Sequence, residues 1–118
     1  MARQFEVIEE QAGDVLIFNV KGAIDGSTVE QFDKTLGPIF RQRKARAIVD
    51  CTDPTYINSF GLGLFVEYHR QSCMGTGRMI VCSPNRTVTK WFDRLGISQV
   101  VTVVPSREAA LAALAARA

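Results

Sequence analysis

A chain of 118 residues with 47% apolar and 22% charged residues has the size and composition of one folded domain, outside the polar, highly charged regime of disordered chains. Its net charge of +2 is too small to require a nucleic-acid partner, and no apolar run approaches the ~20 residues that span a bilayer. The N-terminus lacks a basic stretch followed by an apolar one, so a cytoplasmic protein is expected.

Phe5 to Ile8 and Val15 to Val20 are β-rich, and Gly13-Asp14 between them is turn chemistry, which predicts an opening hairpin. Ser27 and Glu30 have the spacing of a capping box, so a first helix is expected to start there and bury Val29, Phe32, Leu36, Ile39 and Phe40. Gly37-Pro38 predicts a kink or a break in it. Arg41, Arg43, Lys44 and Arg46 follow as a basic run that complements the helix C-terminus, with no interleaved aromatic residues for stacking nucleic-acid bases.

Ala47-Ile48-Val49 reads as a buried strand ending at Asp50. A second helix with its N-cap at Asn58 or Ser59 is expected to bury Leu62, Phe65 and Val66, with His69 and Cys73 on the same stripe. Met79 to Cys82 forms the next strand. Ser83-Pro84 is expected to cap a third helix that buries Val88, Trp91, Phe92 and Leu95 and closes at Gly96. Val100 to Val104 is the last strand, and Pro105-Ser106 caps a final helix over Arg107 to Ala116. The order β-β-α-β-α-β-α-β-α predicts a single α/β domain over residues 1–118, with a mixed, mostly parallel sheet, an N-terminal β-hairpin and about four helices.

Little in this chain suits catalysis. Cys51, Cys73 and Cys82 are widely spaced without a CxxC pair and read as reduced structural thiols, and the single histidine, His69, reads as a packed residue rather than a general base. Gly61 and Gly63 resemble part of a phosphate loop but lack the Walker lysine and the GxGxxG spacing. No metal and no cofactor are expected. The informative stretch is Asp50 to Leu64, where Ser59 opens a helix whose free N–H groups and dipole favour an anion such as a phosphate.

Four landmarks carry a resemblance: Gly22-Ala-Ile-Asp25, Asp50, Asn58-Ser59-Phe60-Gly61, and Phe92 followed by Gly96-Ile97. Over nearly its whole length the chain resembles the STAS family, which includes bacterial anti-sigma factor antagonists and the tails of sulfate transporters. The resemblance implies a non-enzymatic protein-binding switch. Unphosphorylated Ser59 would allow it to sequester an anti-sigma factor that is itself a serine kinase, phosphorylation would release that partner, and a cognate phosphatase would reset it. The implied partner surface comprises Asp25, Asn58, Ser59, Phe60, Gly61 and Leu62; the protein would be a monomer or weak dimer without direct nucleic-acid contact. Two positions depart from the family pattern, with Asn58 where it has Asp and Phe60 where it has Ser or Thr. They keep open a phosphorylation-independent module of a lipid-transport or stress-signalling assembly, and the Gly61 to Gly63 stretch permits a small-molecule or nucleotide-binding domain.

Overall fold

Strands and helices alternate along the chain as their hydrophobic periods require. The computed structural model describes residues 5–115. Its elements are β1 (Glu6–Ala12), β2 (Val15–Ile24), α1 (Val29–Arg41), β3 (Arg46–Ile57), α2 (Ser59–Cys73), β4 (Arg78–Cys82), α3 (Arg86–Arg94), β5 (Thr102–Val104) and α4 (Arg107–Ala115). The five strands form one sheet in the order β1-β2-β3-β4-β5. β1 pairs antiparallel with β2 through a turn at Gly13, whose φ of +64° is left-handed, and every later pairing is parallel. The expected mixed sheet, hairpin and four helices are all present.

Alternation along the strands sorts the core into two unequal halves. Ala47, Val49 and Cys51 of β3 face the larger cluster, where Phe32, Phe40, Leu62, Phe65, Tyr68 and Phe92 bring in α1, α2 and α3. Ile48 faces the other side and meets Ile80, Cys82, Ala110 and Leu114 beneath α4. Aromatic contacts bind α1 to α2, with Phe40 and Tyr68 stacked at 5.0 Å between ring centroids. The buried Tyr68 hydroxyl donates to Asp33 Oδ1 at 2.6 Å. All three cysteines are free thiols, Cys51 and Cys82 buried.

Several local expectations are corrected. α1 runs unbroken through Gly37-Pro38 to Arg41. Pro38 is exposed there, and the carbonyl its missing N–H would have met belongs to exposed Lys34, within reach of water. Ser27 and Glu30 form no capping box: the Ser27 hydroxyl donates to Asp25 Oδ1 at 2.7 Å, while Glu30 lies 3.7 Å from Lys34. β3 does not end at Asp50 but continues to Ile57. Ser83-Pro84 does not cap α3, because Ser83 takes a φ of +54° and Asn85 is the cap, its Oδ1 accepting from Val88 N at 2.9 Å.

The last strand is shorter than expected, since Ile97–Gln99 forms a 3-10 turn after left-handed Gly96 and leaves only Thr102–Val104 in the sheet. Ser106 caps α4 as expected, accepting from Ala109 N at 3.0 Å; Ala116, its expected end, lies outside the described residues. Of the expected core, Ile48, Val49, Leu62, Phe65 and Ile80 are buried and Val66 and Trp91 are half-buried, but Leu95 is 56% exposed. Leu95 is the residue on which α3 ends, so its side chain is carried off the buried stripe of Val88 and Phe92.

This burial map makes a sharp contrast testable by urea denaturation. Leu62→Ala is expected to destabilise the protein by about 2 to 5 kcal/mol, the cost of a core cavity, whereas Leu95→Ala is expected to stay within about 0.5 kcal/mol of the parent.

Candidate functional site

In a parallel sheet the loops that follow the strands gather at one edge. Here β2 leads to Asp25, β3 to Asn58-Ser59 and β4 to Asn85. β3 overshoots β4, which ends opposite Asp50, and its extra residues are held from both sides. On one side β2 pairs with it as far as Ile24 against Ile57. On the other, Asn85 donates from its backbone N to Cys51 O at 3.1 Å and from Nδ2 to Thr52 O at 3.0 Å and Pro54 O at 2.7 Å. Asn85 is thus both the cap of α3 and the brace of β3, a double role that its place between a strand and a helix did not disclose.

The chain then turns into α2. Asn58 N donates to Ile24 O at 2.8 Å, and its side-chain Oδ1 accepts from Gly61 N at 2.8 Å, so Asn58 is the N-cap and Ser59 the first helical residue. Asn58 thus caps the helix without a charge. Ser59 is exposed at the positive end of a fifteen-residue helix. Phe60 is 69% exposed, the most accessible large apolar side chain among the described residues. Gly61 and Leu62 are buried: a Cβ at Gly61 would stand 2.8 Å from Ile24 Cγ2, and Leu62 packs into the core. Gly61 and Gly63 therefore lie within a helix, not in a phosphate-cradling loop.

Asp25 sits in the neighbouring loop. Its Oδ1 accepts from Ser27 N at 2.9 Å and Ser27 Oγ at 2.7 Å, and these bonds hold the carboxyl below its usual range, so it is ionised at neutral pH. Thr28 ties the loop down by donating from Oγ1 to Ala23 O at 2.6 Å. Beside Ser59 on the other flank is a groove of about 320 Å³ lined by Tyr56, Ile57, Leu62, Trp91 and Leu95. Tyr56 and Leu95 are about half exposed on its rim. Sequence periodicity alone assigned Trp91 and Leu95 to the core; their position next to Ser59 is visible only in three dimensions. A second hollow, about 390 Å³, lies at the opposite end of the sheet, where Arg46 and Asp14 pair at 2.8 Å.

Asp50 belongs to a different place. It projects to the α4 side of the sheet, where Arg107 Nε donates to Oδ2 at 2.7 Å and Thr52 donates to Oδ1 from both N and Oγ1. Burial works to raise its pKa, but the bonds from Thr52 and Arg107 outweigh that and hold it lowered. Glu10 grips the same guanidinium at 3.1 Å. Asp50 is therefore an anchor for α4. His69 lies ten residues and roughly 15 Å of helix from Ser59, with Nε2 3.5 Å from Cys73 Sγ; it cannot act as a base for Ser59.

The fold and the site define a class: a small α/β domain that presents one exposed serine, at a helix start, between an ionised loop and an apolar groove. The chain belongs to the STAS domain family, whose sequence profile matches residues 6–110. BtrV of Bordetella bronchiseptica, by name a candidate anti-sigma factor antagonist, is 27% identical over 99 residues, covering 84% of this chain and 85% of BtrV. An anti-sigma factor antagonist from Mycobacterium paratuberculosis has the same fold, with a TM-score of 0.86 at 18% identity over 96% of each chain. So does the phosphorylated form of the Bacillus cell fate determinant SpoIIAA, with a TM-score of 0.69 at 21% identity over 94% of this chain and 99% of that one.

Two measurements probe this geometry. Gly61→Ala is expected to cost about 1 to 3 kcal/mol through its clash with Ile24, whereas Gly63→Ala, with open space around it, is expected to gain about 0.5 to 1 kcal/mol from helix propensity; thermal unfolding compares them. Because the folded pKa of Asp50 is lowered, its contribution is complete above the unfolded value of about 4 and is lost as pH falls through the folded value. Stability measured against pH is expected to drop in that acidic window, and Asp50→Asn is expected to make the drop shallower.

Proposed function

We propose that this protein is an anti-sigma factor antagonist that holds a kinase-type anti-sigma factor against the surface formed by Ser59, Phe60, the Asp25 loop and the neighbouring groove, and that phosphorylation of Ser59 releases it. The observation that carries this reading is Ser59 itself, exposed at the first position of α2 beside an apolar rim. The relatedness to BtrV supports the partner class, and the existence of SpoIIAA in a phosphorylated form on the same fold supports the modification.

Each part of the surface has a separate task. Phe60 and the groove supply apolar area that a partner can cover, in which aromatic side chains dominate the energy of association. Asp25, ionised and fixed by Ser27, offers a charge that chooses among partners. The Ser59 hydroxyl is small and neutral, so a partner can close over it at little cost. A phosphate there adds about −1.5 to −2 charges. The amides of the first turn and the helix dipole stabilise that group in the free protein, so the phosphorylated state needs no refolding. Inside a closed interface the same charge must be desolvated and stands near Asp25. A shift of ~3 kcal/mol changes affinity by more than a hundredfold.

Phe60 at the position after the serine leaves the phosphoacceptor unique within the loop, so kinase action would yield a single phosphate on Asn58 to Gly61. Calorimetric titration against the anti-sigma factor tests the switch. Ser59→Ala is expected to bind like the parent, and Ser59→Asp at least about tenfold more weakly, with the two variants nearly equal in thermal stability. Equal affinities would refute the switch while leaving a binding module.

A further inference from the structure

The helix that contributes Trp91 and Leu95 to the groove beside Ser59 carries a row of cations next to that lining. Arg86, Lys90 and Arg94 stand at intervals of four along α3, all exposed, and none pairs with a carboxylate among the described residues. Residues four apart share a helix face, so the three form a single basic ridge. Its position relative to the groove is fixed by Trp91: the Lys90 ammonium lies 5.5 Å and the Arg94 guanidinium 5.6 Å from the Trp91 ring, and that ring lines the groove. Stems held over an aromatic face lose little further freedom when their charges meet a partner.

Unpaired cations along an apolar trough are complementary to one kind of surface, an amphipathic segment with apolar side chains on one face and carboxylates beside them. The opposite flank of Ser59 carries the ionised Asp25. A partner that spans both flanks must therefore be acidic toward α3, whatever it presents to the Asp25 loop. Resting on the reading of Ser59 as the centre of a partner surface, we infer that the groove between α2 and α3 docks an acidic amphipathic helix of the anti-sigma factor, its apolar face against Tyr56, Trp91 and Leu95 and its carboxylates on Lys90, Arg94 and Arg86. Because the ridge and the phosphoserine would lie along one trough, phosphate on Ser59 competes with the same carboxylates for these cations as well as opposing the partner directly.

Trp91 is the only tryptophan in the chain, so its fluorescence reports occupancy of the groove. The probes are two synthetic amphipathic helical peptides with identical leucine faces, one with glutamates and the other with lysines on its polar face. The whole protein is titrated with each at low and at physiological salt. The glutamate peptide is expected to shift Trp91 emission and to bind at least about tenfold more tightly than the lysine peptide, with a preference that shrinks as salt rises. Lys90→Glu/Arg94→Glu is expected to reverse the preference, and Lys90→Gln/Arg94→Gln to abolish it, both at unchanged thermal stability since these side chains are exposed. Equal affinities for the two peptides, binding of neither, or a preference untouched by the charge reversal would overturn the inference. So would tighter binding of anionic phosphatidylserine vesicles than of the glutamate peptide. The Ser59 titration is independent of this outcome: a gap between Ser59→Ala and Ser59→Asp with no peptide preference leaves the switch and removes only the acidic partner helix.

Discussion

The upper edge of this molecule depends on a strand that outruns its neighbour. β4 stops opposite Asp50, yet β3 must carry the chain to Ile57 before α2 can begin. A strand extended past its partner exposes a row of backbone groups that have to be satisfied. β2 supplies one side of that requirement through pairing up to Ile24. Asn85 supplies the other by bonding Cys51, Thr52 and Pro54. The brace is shared with α3, because Asn85 also caps that helix through Val88 N. The start of α2 and the position of α3 are thereby fixed relative to each other, and the groove beside Ser59 lies between them.

A close approach then sets the height of Ser59. Asn58 is bonded to Ile24, and Gly61 presses against the same isoleucine with no room for a side chain. The first turn of α2 is consequently held against the end of β2, while its next outward residues, Ser59 and Phe60, face away. This arrangement separates a rigid inner turn from an accessible outer one. Under the proposed function a charge placed on Ser59 would act on what approaches from outside and leave the packing within unchanged, which is the physical requirement for a switch that works through association rather than refolding. Asp50, on the other side of the sheet, serves the fold instead by clasping Arg107 at the start of α4.

Legibility in the sequence followed the range of the interaction involved. Strand and helix order, a helix start at Asn58 or Ser59, the cap at Ser106, the turn at Gly13 and the left-handed Gly96 are readable from spacing and residue type, whereas the caps expected at Ser27 and Ser83 are displaced by the loops around them. Ser59 was readable because an N-terminal helical position is a local property, and the family resemblance gave it a role. The length of β3 was not readable, since what extends it is Asn85, some thirty residues later in the chain. Leu95 fits the helical stripe of Val88 and Phe92, but the helix ends on it, so periodicity assigned it to a core that it does not reach. Pro38 breaks helices whose lost bond is buried, and burial of that face is a tertiary fact. Phe60 is apolar whether it packs inward or faces out, and only the orientation of α2 puts it at the surface. The basic ridge on α3 was present in the sequence as three cations four apart, but its meaning required the groove beside it.

The central claim is that phosphate on Ser59 changes what the surface can bind without changing the fold. Amide NMR spectra of the unphosphorylated and Ser59-phosphorylated protein test it most directly. The account predicts large shifts for Ser59, Phe60 and Gly61, smaller ones at Tyr56 and the Trp91 indole, and none in α4 or along β4. Shifts spread through the sheet and into α4 would contradict it, because they would mean that the phosphate acts by rearranging the domain.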